Sequence, residues 1–365
     1  MGLSVGIVGL PNVGKSTFFN AITNAGAEAQ NYPFCTIEPN TGIVPLADPR
    51  LGVLARMSNS QKIVPAVITF VDIAGLVKGA SKGDGLGNKF LSHIREVSVI
   101  AHVVRCFEDS NIVHVSGKID PLDDIEIINM ELVLADLEAA GKMHSNLTKQ
   151  LKSGGEQDAK DRLALLSRVI EALEKNVPVR GISFTVEERQ LLKTYSFLTE
   201  KKVIYVANVS EEMLGKSSPA VEIVREYAAK NGDEFAVICA KIEDEISKLE
   251  AAEKSEFMQS LGIAESGLDV IARKCFALLG LQTYLTTGEK ETRAWTIHKG
   301  DTAPQAAGVI HSDFERGFIR ANVVSYDDFV ALGGLKGVKE KGLLRQEGRE
   351  YVMREGDIVE FLFNV

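Results

Sequence analysis

The chain has few of the features that mark secreted and membrane proteins. Its 365 residues include four cysteines without Cys-x-x-Cys spacing, Cys35, Cys106, Cys239 and Cys275. Scattered cysteines of this kind favour reduced thiols in a reducing compartment over a disulfide framework. No uncharged stretch reaches the roughly 18 residues of a membrane-spanning helix, and no basic N-terminal region precedes a long apolar run. We therefore expect a cytoplasmic protein with no signal peptide and no membrane partner.

The chain also has fewer basic than acidic residues. The sequence has 41 lysines and arginines against 50 aspartates and glutamates, so its net charge is −9. This balance excludes a protein coated in basic surface, although a local basic patch for RNA stays open. The 45% hydrophobic and 25% charged content is typical of a soluble globular protein. The length favours two or three domains.

Five apolar segments rich in valine and isoleucine predict strands that are buried on both faces. They lie at 4–10, 66–75, 98–107, 202–209 and 234–240. Such strands are typical of a parallel sheet covered by helices. The segment KSTFFNAITNA, directly after the first strand, has helical spacing. The sequence therefore predicts an α/β fold with a mostly parallel sheet.

Between about 124 and 178, apolar residues recur at helical spacing among many charges. The segment KSGGEQ lies between the two halves as a turn, so we predict two antiparallel helices of about 25 residues each. A hairpin about 35–40 Å long cannot pack wholly on the sheet, and we expect it to extend as an arm. The alternative is two ordinary helices folded onto the body.

From about 281, short β-type runs alternate with glycine and aspartate turns, with one helix-like piece near 301–310. This texture predicts a small β-rich α+β domain. The predicted boundaries are a first domain of 1–123 and 200–280, a helical insertion at 124–199 and a C-terminal domain at 281–365.

The segment GLPNVGKST, from Gly9 to Thr17, fits the pattern G-x-x-x-x-G-K-[ST] between a strand and a helix. Gly9 and Gly14 allow the backbone to wrap tightly, so that successive N–H groups point at one phosphate. Lys15 reaches the β- and γ-phosphates, where we also expect it to act in catalysis, and Ser16 offers a hydroxyl to Mg²⁺. The predicted phosphate site is Asn12, Val13, Gly14, Lys15, Ser16 and Thr17.

The segment FVDIAGL supplies the second part of the site. Asp72 ends a buried strand, where a carboxylate is costly unless it has a function. Coordination of Mg²⁺ through water is that function, and Gly75 lets its N–H approach the γ-phosphate. Thr36 is a candidate second hydroxyl ligand in a loop that orders only around a γ-phosphate. The predicted metal ligands are Ser16, Thr36 and Asp72.

The segment ANVSEE lies where a GTPase carries Asn-Lys-x-Asp, whose Asp accepts from guanine N1–H and the 2-amino group. Here Glu211 is one methylene too long for that bidentate position, and Val209 replaces the lysine. Asn208 can accept from the 6-amino group of adenine and donate to its N7. Loss of the guanine acceptors should relax or invert a preference that is roughly 10⁴-fold in sites built for guanine. With CAKIEDE as the last base-contacting loop, the predicted base site is Asn208, Val209, Glu211, Cys239 and Ala240.

Together, GLPNVGKST, NYPFCTIEPN, DIAGLVKGASKGDGLGNKFL, NVSE and AWTIHKGDTAPQAAGVIHSDFERGFIRA resemble the YchF / Obg-like ATPase family over essentially the whole chain. The resemblance implies a TRAFAC-class P-loop domain, a coiled-coil arm and a C-terminal TGS domain. It also implies ATP hydrolysis in preference to GTP hydrolysis, and association with the ribosome.

Ras-like enzymes orient the attacking water with a glutamine just after D-x-x-G, but this chain has Leu76 there. Slow intrinsic turnover is predicted unless another group supplies the function. The candidates are a residue supplied in trans, a monovalent cation such as K⁺, or a histidine from a mobile loop. The resemblance implies such a loop histidine, and His114 is the candidate. From the residues alone, His114 is more often a plain surface or core histidine.

The segment 333–349 is locally basic. It has five cations against two anions, a charge of +3, which suits either an RNA-binding face or a solvated loop. The leading hypothesis is an ATP-driven switch acting on ribosomes. The alternatives are a GTP-preferring Obg-type GTPase and a nucleotide-gated RNA- or ribosome-binding protein with incidental hydrolysis. We expect a monomer, because nothing in the sequence demands a dimer.

Overall fold

The structure is a computed structural model that describes residues 3–26, 40–73, 85–109, 119–152 and 157–364. The strands are β1 (Ser4–Val8), β2 (Thr41–Pro45), β3 (Ile63–Val64), β4 (Val67–Asp72), β5 (Val99–Arg105), β6 (Lys202–Asn208), β7 (Glu234–Ile238), β8 (Leu281–Thr287), β9 (Thr292–His298), β10 (Phe318–Val324), β11 (Arg345–Glu347) and β12 (Ile358–Phe363).

Fourteen α-helices lie within the described residues. They are α1 (Lys15–Ala25), α2 (Pro49–Ser58), α3 (Gly85–Glu96), α4 (Pro121–Lys152), α5 (Gln157–Glu174), α6 (Val186–Leu192), α7 (Pro219–Asn231), α8 (Ala240–Ile246), α9 (Ala251–Ser260), α10 (Gly267–Leu278), α11 (Ala303–Ile310), α12 (Ser312–Arg316), α13 (Tyr326–Ala331) and α14 (Leu335–Glu340). Within the described residues, no helix is long and apolar enough to cross a bilayer.

The first sheet has the strand order β2-β4-β1-β5-β6-β7. Strand β1 pairs in parallel with β4 and β5, β5 pairs with β6, and β6 pairs with β7. All seven residues of β5 are buried, as a strand covered on both faces requires. The five predicted strands and their mostly parallel sheet are confirmed. Strand β2 was not predicted, because its sequence TGIVP is short and carries glycine and proline.

By their internal contacts, the residues form two compact units. The first is Met1–Ala25, Ile37–Gly42 and Thr69–Ile271, and the second is Gly26–Thr36, Ile43–Ile68 and Ala272–Val365. The segment 43–68, which the sequence placed within 1–123, therefore belongs with the C-terminal residues. The predicted ends at 123, 199 and 280 stay predictions.

Helix α2 and strand β3 explain why this segment belongs to the second unit. Leu51 and Leu54 of α2 are buried in a core completed by side chains of β8, β9, β10, α13, α14 and β12. Strand β3 pairs in parallel with β9, and the Ser60 hydroxyl donates to the Gly288 carbonyl oxygen at 2.7 Å. Because β3 has only two residues, its sequence has no strand period from which to predict this pairing.

The predicted helical hairpin is present with unequal arms. Helix α4 has 32 residues and α5 has 18, instead of about 25 each, and the turn at 153–156 lies outside the described residues. Ile125 and Ile128, near the start of α4, are fully buried. Farther along, Ala140 packs in a core with Leu166 and Val169 of α5. At 1.5 Å per residue α4 is about 48 Å long, and 141–152 are at least partly exposed. The helix therefore packs at its base and extends at its tip.

The second sheet has the order β11-β10-β12-β8-β9-β3. Its pairs β10–β11, β10–β12 and β8–β9 are antiparallel, which agrees with the predicted β-rich α+β domain. Helix α11 confirms the predicted helical piece, and it buries Ala303, Ala306 and Ala307. Helices α12, α13 and α14 were not predicted, because helices of five or six residues are too short to show a helical period.

Candidate nucleotide site

The loop from Gly9 to Gly14 joins β1 to α1, and its shape depends on two glycines. A Cβ on Gly9 would lie 2.6 Å from the Val103 carbonyl oxygen, and one on Gly14 would lie 2.2 Å from Asn208 Nδ2. Gly14 also has a φ of 96°, in the region that favours glycine. Asn12 has a φ of 63°, which asparagine tolerates better than most residues. The loop therefore has the wrapped backbone that the sequence predicts.

Lys15 opens α1 and folds back over its own loop. Its Nζ donates to the carbonyl oxygens of Gly9 and Leu10, each at 2.8 Å. Burial lowers the pKa of Lys15 to about 8, and the nearby charge of Asp72 opposes that shift. Since an ammonium has three donors, one N–H is left for a phosphate oxygen.

Ser16 and Asp72 form the described part of the predicted metal site. Ser16 is exposed at the start of α1, and Asp72 is half-buried at the end of β4. Burial raises the pKa of Asp72, partly offset by Lys15, so a bound cation would stabilise its charged form. Hydroxyl and carboxylate oxygens suit Mg²⁺, which takes few protein ligands and keeps waters and phosphates. The described residues contain no group of three or more His, Cys, Asp or Glu side chains that could hold a metal ion.

Several predicted residues cannot be placed. Thr36, Gly75, Leu76 and His114 lie outside the described residues. Their assignments therefore stay predictions.

Asn208, at the end of β6, ties two loops together. It is only 4% exposed. Its Nδ2 donates to the Val13 carbonyl oxygen at 2.9 Å, and its Oδ1 accepts from the Ala240 N–H at 3.0 Å. These bonds engage one amide proton and one lone pair of the carboxamide. Direct pairing of Asn208 with adenine stays a prediction, while its observed contacts hold the phosphate loop against the start of α8.

Of the other predicted base-site residues, Val209, Cys239 and Ala240 are buried and Glu211 is exposed. Val209 and Cys239 are each 2% exposed, and burial raises the pKa of the Cys239 thiol. The Val209 N–H donates to the Ile238 carbonyl oxygen at 2.8 Å, which fixes the loop after β6. Glu211 is exposed, and its carboxylate lies 4.0 Å from Lys241 Nζ.

A cavity of about 730 Å³ joins the phosphate loop to the loops after β6 and β7, while Asp72 is not among the residues that line it. This is within the usual size of ligand pockets, about 300–1,000 Å³. The predicted residues that line it are Asn12, Gly14, Lys15, Ser16, Thr17, Asn208, Val209, Glu211, Cys239 and Ala240. Val13 lies behind this lining, with its carbonyl oxygen bound to Asn208. Further lining residues, not predicted, are Phe107, Glu108, Asp109, Ser210, Glu212 and Lys241.

The place of residues 107–109 in the chain indicates that they line this cavity. They directly follow β5, which lies between β1 and β6 in the sheet. Ligands of open parallel sheets bind beyond the carboxyl ends of the strands. The residues just after β5 therefore belong at the same edge as the loops after β1 and β6.

Two family profiles match the chain. Residues 4–143 match "50S ribosome-binding GTPase", and residues 281–364 match "Protein of unknown function (DUF933)", a profile named YchF-GTPase_C.

Full-length relatives agree with these matches. The chain is 56% identical to "Ribosome-binding ATPase YchF" of Bacillus subtilis over 100% of both chains, and 54% identical to the protein of that name in Haemophilus influenzae over 100% of both. The structure of the Schizosaccharomyces pombe YchF GTPase is 37% identical, covers 99% of this chain and 97% of its own, and gives a TM-score of 0.89. With its fold, its phosphate loop and its relatives in agreement, the chain belongs to the YchF family.

Proposed function

We propose that this protein binds and hydrolyses ATP in the cavity between the phosphate loop and the loop after β6, and that it acts as a nucleotide switch on the ribosome. One observation carries the proposal: the wrapped loop with Lys15 at the start of α1 shares a single cavity with 208–211 and 239–240. The wrapped loop with Lys15 suits a triphosphate, and the residues 208–211 and 239–240 suit a purine. The bacterial relatives are named ribosome-binding ATPases, which supports both ATP as the nucleotide and the ribosome as the partner.

At the phosphate end, each group has a separate task. The N–H groups of the loop and the positive end of α1 bind phosphate oxygens, and Lys15 stabilises charge on the β- and γ-phosphates. Ser16 and Asp72 would hold Mg²⁺, with Thr36 as a further ligand. When bound, Mg²⁺ neutralises charge that develops on the phosphate oxygens during transfer.

At the base end, the proposal is a preference for ATP over GTP. The names of relatives differ here, since the bacterial proteins are named ATPase and the fission yeast structure is named GTPase. Glu211 and Val209 support ATP, because neither reproduces the contacts that a guanine site makes.

Water activation needs a group other than Leu76. We propose that His114 supplies it, with K⁺ beside the phosphate loop as the second candidate. Replacing His114 with alanine should slow turnover more than it weakens ATP binding, whereas equal turnover would exclude the histidine.

The nucleotide proposal is tested with Lys15→Ala and a matched Lys230→Ala control on the exposed face of α7. Lys15→Ala should abolish phosphate release while the unfolding temperature stays near that of the wild type, and Lys230→Ala should change neither. Competition of ATP and GTP against a fluorescent ATP analogue measures the base preference. Hydrolysis that survives in Lys15→Ala, or tighter binding of GTP than of ATP, would contradict the proposal.

The ribosome proposal includes RNA as the surface that is bound. Of the five cations in 333–349, Arg345 is paired with Asp357 and Glu347 at 3.5 and 3.2 Å. Arg349 donates to the Phe318 carbonyl oxygen at 3.0 Å. Lys336, Lys339 and Lys341, on α14 and just after it, are exposed, and within the described part of the chain they make no contact of this kind.

Charge reversal tests this surface. Lys336→Glu with Lys339→Glu should weaken salt-dependent co-sedimentation with ribosomes, because each lost phosphate contact lowers the salt slope by about one. Lys230→Glu with Lys299→Glu, a control of equal charge change elsewhere, should not. Equal sedimentation of both variants would exclude the α14 surface.

We further propose a cytoplasmic monomer. The described cysteines, Cys106, Cys239 and Cys275, are free and buried, which suits a reducing compartment. Light scattering of the purified protein measures the mass, and twice the chain mass would contradict the monomer.

A further inference from the structure

Arg105, the last residue of β5, is an unusual core residue. Its side chain is 1% exposed and is the largest of the fully buried side chains in the described part of the chain. Burial of a guanidinium is costly unless its donors are satisfied. The hydrogen bonds of Arg105 therefore show what its burial achieves.

Arg105 folds back on the residues that follow it. Its Nε donates to the Phe107 carbonyl oxygen at 3.2 Å, and its Nη2 donates to the Asp109 carbonyl oxygen at 3.3 Å. The guanidinium carbon also lies 4.7 Å from the centre of the Phe107 ring, within the range of a cation–π contact. A single side chain thus fixes both ends of 107–109, three consecutive residues that line the nucleotide cavity.

The same strand end is joined to the base loop. Arg105 pairs in register with Asn208 across the parallel strands β5 and β6. The N–H of Cys106 donates to the Asn208 carbonyl oxygen at 2.8 Å. The cavity wall at 107–109 therefore begins beside Asn208, whose carboxamide holds Val13 and Ala240 together; we call these two contacts the Asn208 clamp.

We propose that Arg105 is a positioning residue for the nucleotide, which holds the wall at 107–109 in the shape that binds the purine end. This inference rests on the proposed function. Without the guanidinium, 107–109 spends less time in the binding conformation, so affinity falls by that lost fraction while bound nucleotide still reacts. The planar fork explains why arginine is needed, since an ammonium cannot reach both carbonyl oxygens from one position.

The experiment compares Arg105→Gln and Arg105→Lys with the wild type. Arg105→Gln should raise KM for ATP about tenfold, in line with the loss of a charge-assisted hydrogen bond, and leave kcat within about twofold. It should also reduce the ATP-to-GTP ratio of kcat/KM. Arg105→Lys, which keeps the charge, should recover part of the affinity. It also keeps the test valid where the glutamine variant does not fold.

A matched control separates positioning from general stability. Arg180 is a partly buried arginine whose side chain is 14% exposed, and it is not among the residues that line the cavity. It donates to the Asp233 carboxylate through two hydrogen bonds of 3.0 and 2.9 Å. Arg180→Gln should lower the unfolding temperature without changing KM. A folded Arg105 variant with the wild-type KM and the wild-type ATP-to-GTP ratio would overturn the proposal, as would an equal rise in KM in Arg180→Gln.

The role of the wall is tested by combining Arg105→Gln with Phe107→Leu. If both act through the wall, their effects on KM should be less than multiplicative. Fully multiplicative effects would overturn the proposed route. Failure of the proposed function is separate, because it shows as wild-type protein that releases no more phosphate than Lys15→Ala.

Discussion

The two ends of the nucleotide cavity are built in different ways. At the phosphate end, nearby residues make the shape: Lys15 bonds to carbonyl oxygens five and six positions back in the chain. At the base end, Asn208 bonds to Val13, 195 positions away, and to Ala240, 32 positions away. The phosphate end therefore depends on local backbone geometry, and the base end depends on the assembled sheet.

The difference shows where the site is vulnerable. The two ends meet at Gly14, where the backbone of the phosphate loop touches the Asn208 carboxamide. A change there should damage both ends together, whereas a change elsewhere should affect one end. Three predictions test this comparison, from the largest expected effect to the smallest.

The largest effect is expected for Gly14→Ala. Its φ of 96° costs alanine about 1–2 kcal/mol, and the new Cβ would lie 2.2 Å from Asn208 Nδ2. We expect a loss of at least about 3 kcal/mol in the free energy of unfolding, and ATP binding below detection. Urea denaturation and nucleotide titration measure the two quantities.

Gly232→Ala is the matched control for the backbone term. Gly232 ends α7 with a φ of 68°, and a Cβ there would meet nothing within 4 Å. This variant should lose about 1–2 kcal/mol and keep its ATP affinity. Equal losses in both variants would show that the contact with Asn208 contributes nothing, and that the two ends are independent.

A smaller effect is expected from pH, which should change ATP affinity through Lys15 at the phosphate end. The pKa of Lys15 is lowered to about 8 by burial, so the free protein loses the Lys15 charge as pH rises through 8. Because triphosphate binds the charged form, the ATP dissociation constant should rise from pH 8 upward, up to about tenfold per pH unit. Below pH 7 the charge is complete and Lys15 should add no slope.

Lys15→Arg provides the control, because arginine stays charged throughout this range. Its ATP affinity should be weaker at every pH and flat between pH 7 and 9.5. A wild-type affinity that does not change up to pH 9.5 would contradict the lowered pKa, and an equal slope in Lys15→Arg would assign the titration to another group.

The difference between local and long-range contacts also explains which features could be predicted from the sequence. The phosphate loop, the five buried strands and the helical hairpin each carry their signal within a short window, as a spacing of glycines or an apolar period. The placement of 43–68 had no such signal, because the pairing of β3 involves two residues and the core around Leu54 is completed by residues from the far end of the chain.

The base end shows the limit most clearly. The sequence identifies Asn208 by its position at the end of the predicted strand 202–209, but it does not show that Val13 and Ala240 already engage the carboxamide. Likewise Arg345 is one of the five cations in 333–349 by sequence, but in the fold its guanidinium is paired with Asp357. Residue type indicates what a side chain can bond, while the fold decides which of those bonds are already made.

The smallest effect is expected for the exposed pair at the mouth of the base end. Lys241 Nζ and the Glu211 carboxylate are 4.0 Å apart, with side chains 72% and 53% exposed. Exposed pairs contribute about 0.2–1 kcal/mol, and this distance favours the lower part of that range. Lys241→Ala should therefore change the free energy of unfolding by less than about 0.5 kcal/mol and KM for ATP by less than about twofold.

A double-mutant cycle with Glu211→Gln measures the coupling between Lys241 and Glu211 directly. The coupling should shrink further in 0.5 M salt, because the charges are exposed to solvent. If the buried Asn208 clamp holds the base end together, the ATP-to-GTP ratio should be unchanged in Lys241→Ala. A tenfold change in that ratio would show that the exposed pair discriminates between ATP and GTP. It would contradict the view that buried contacts determine the base preference.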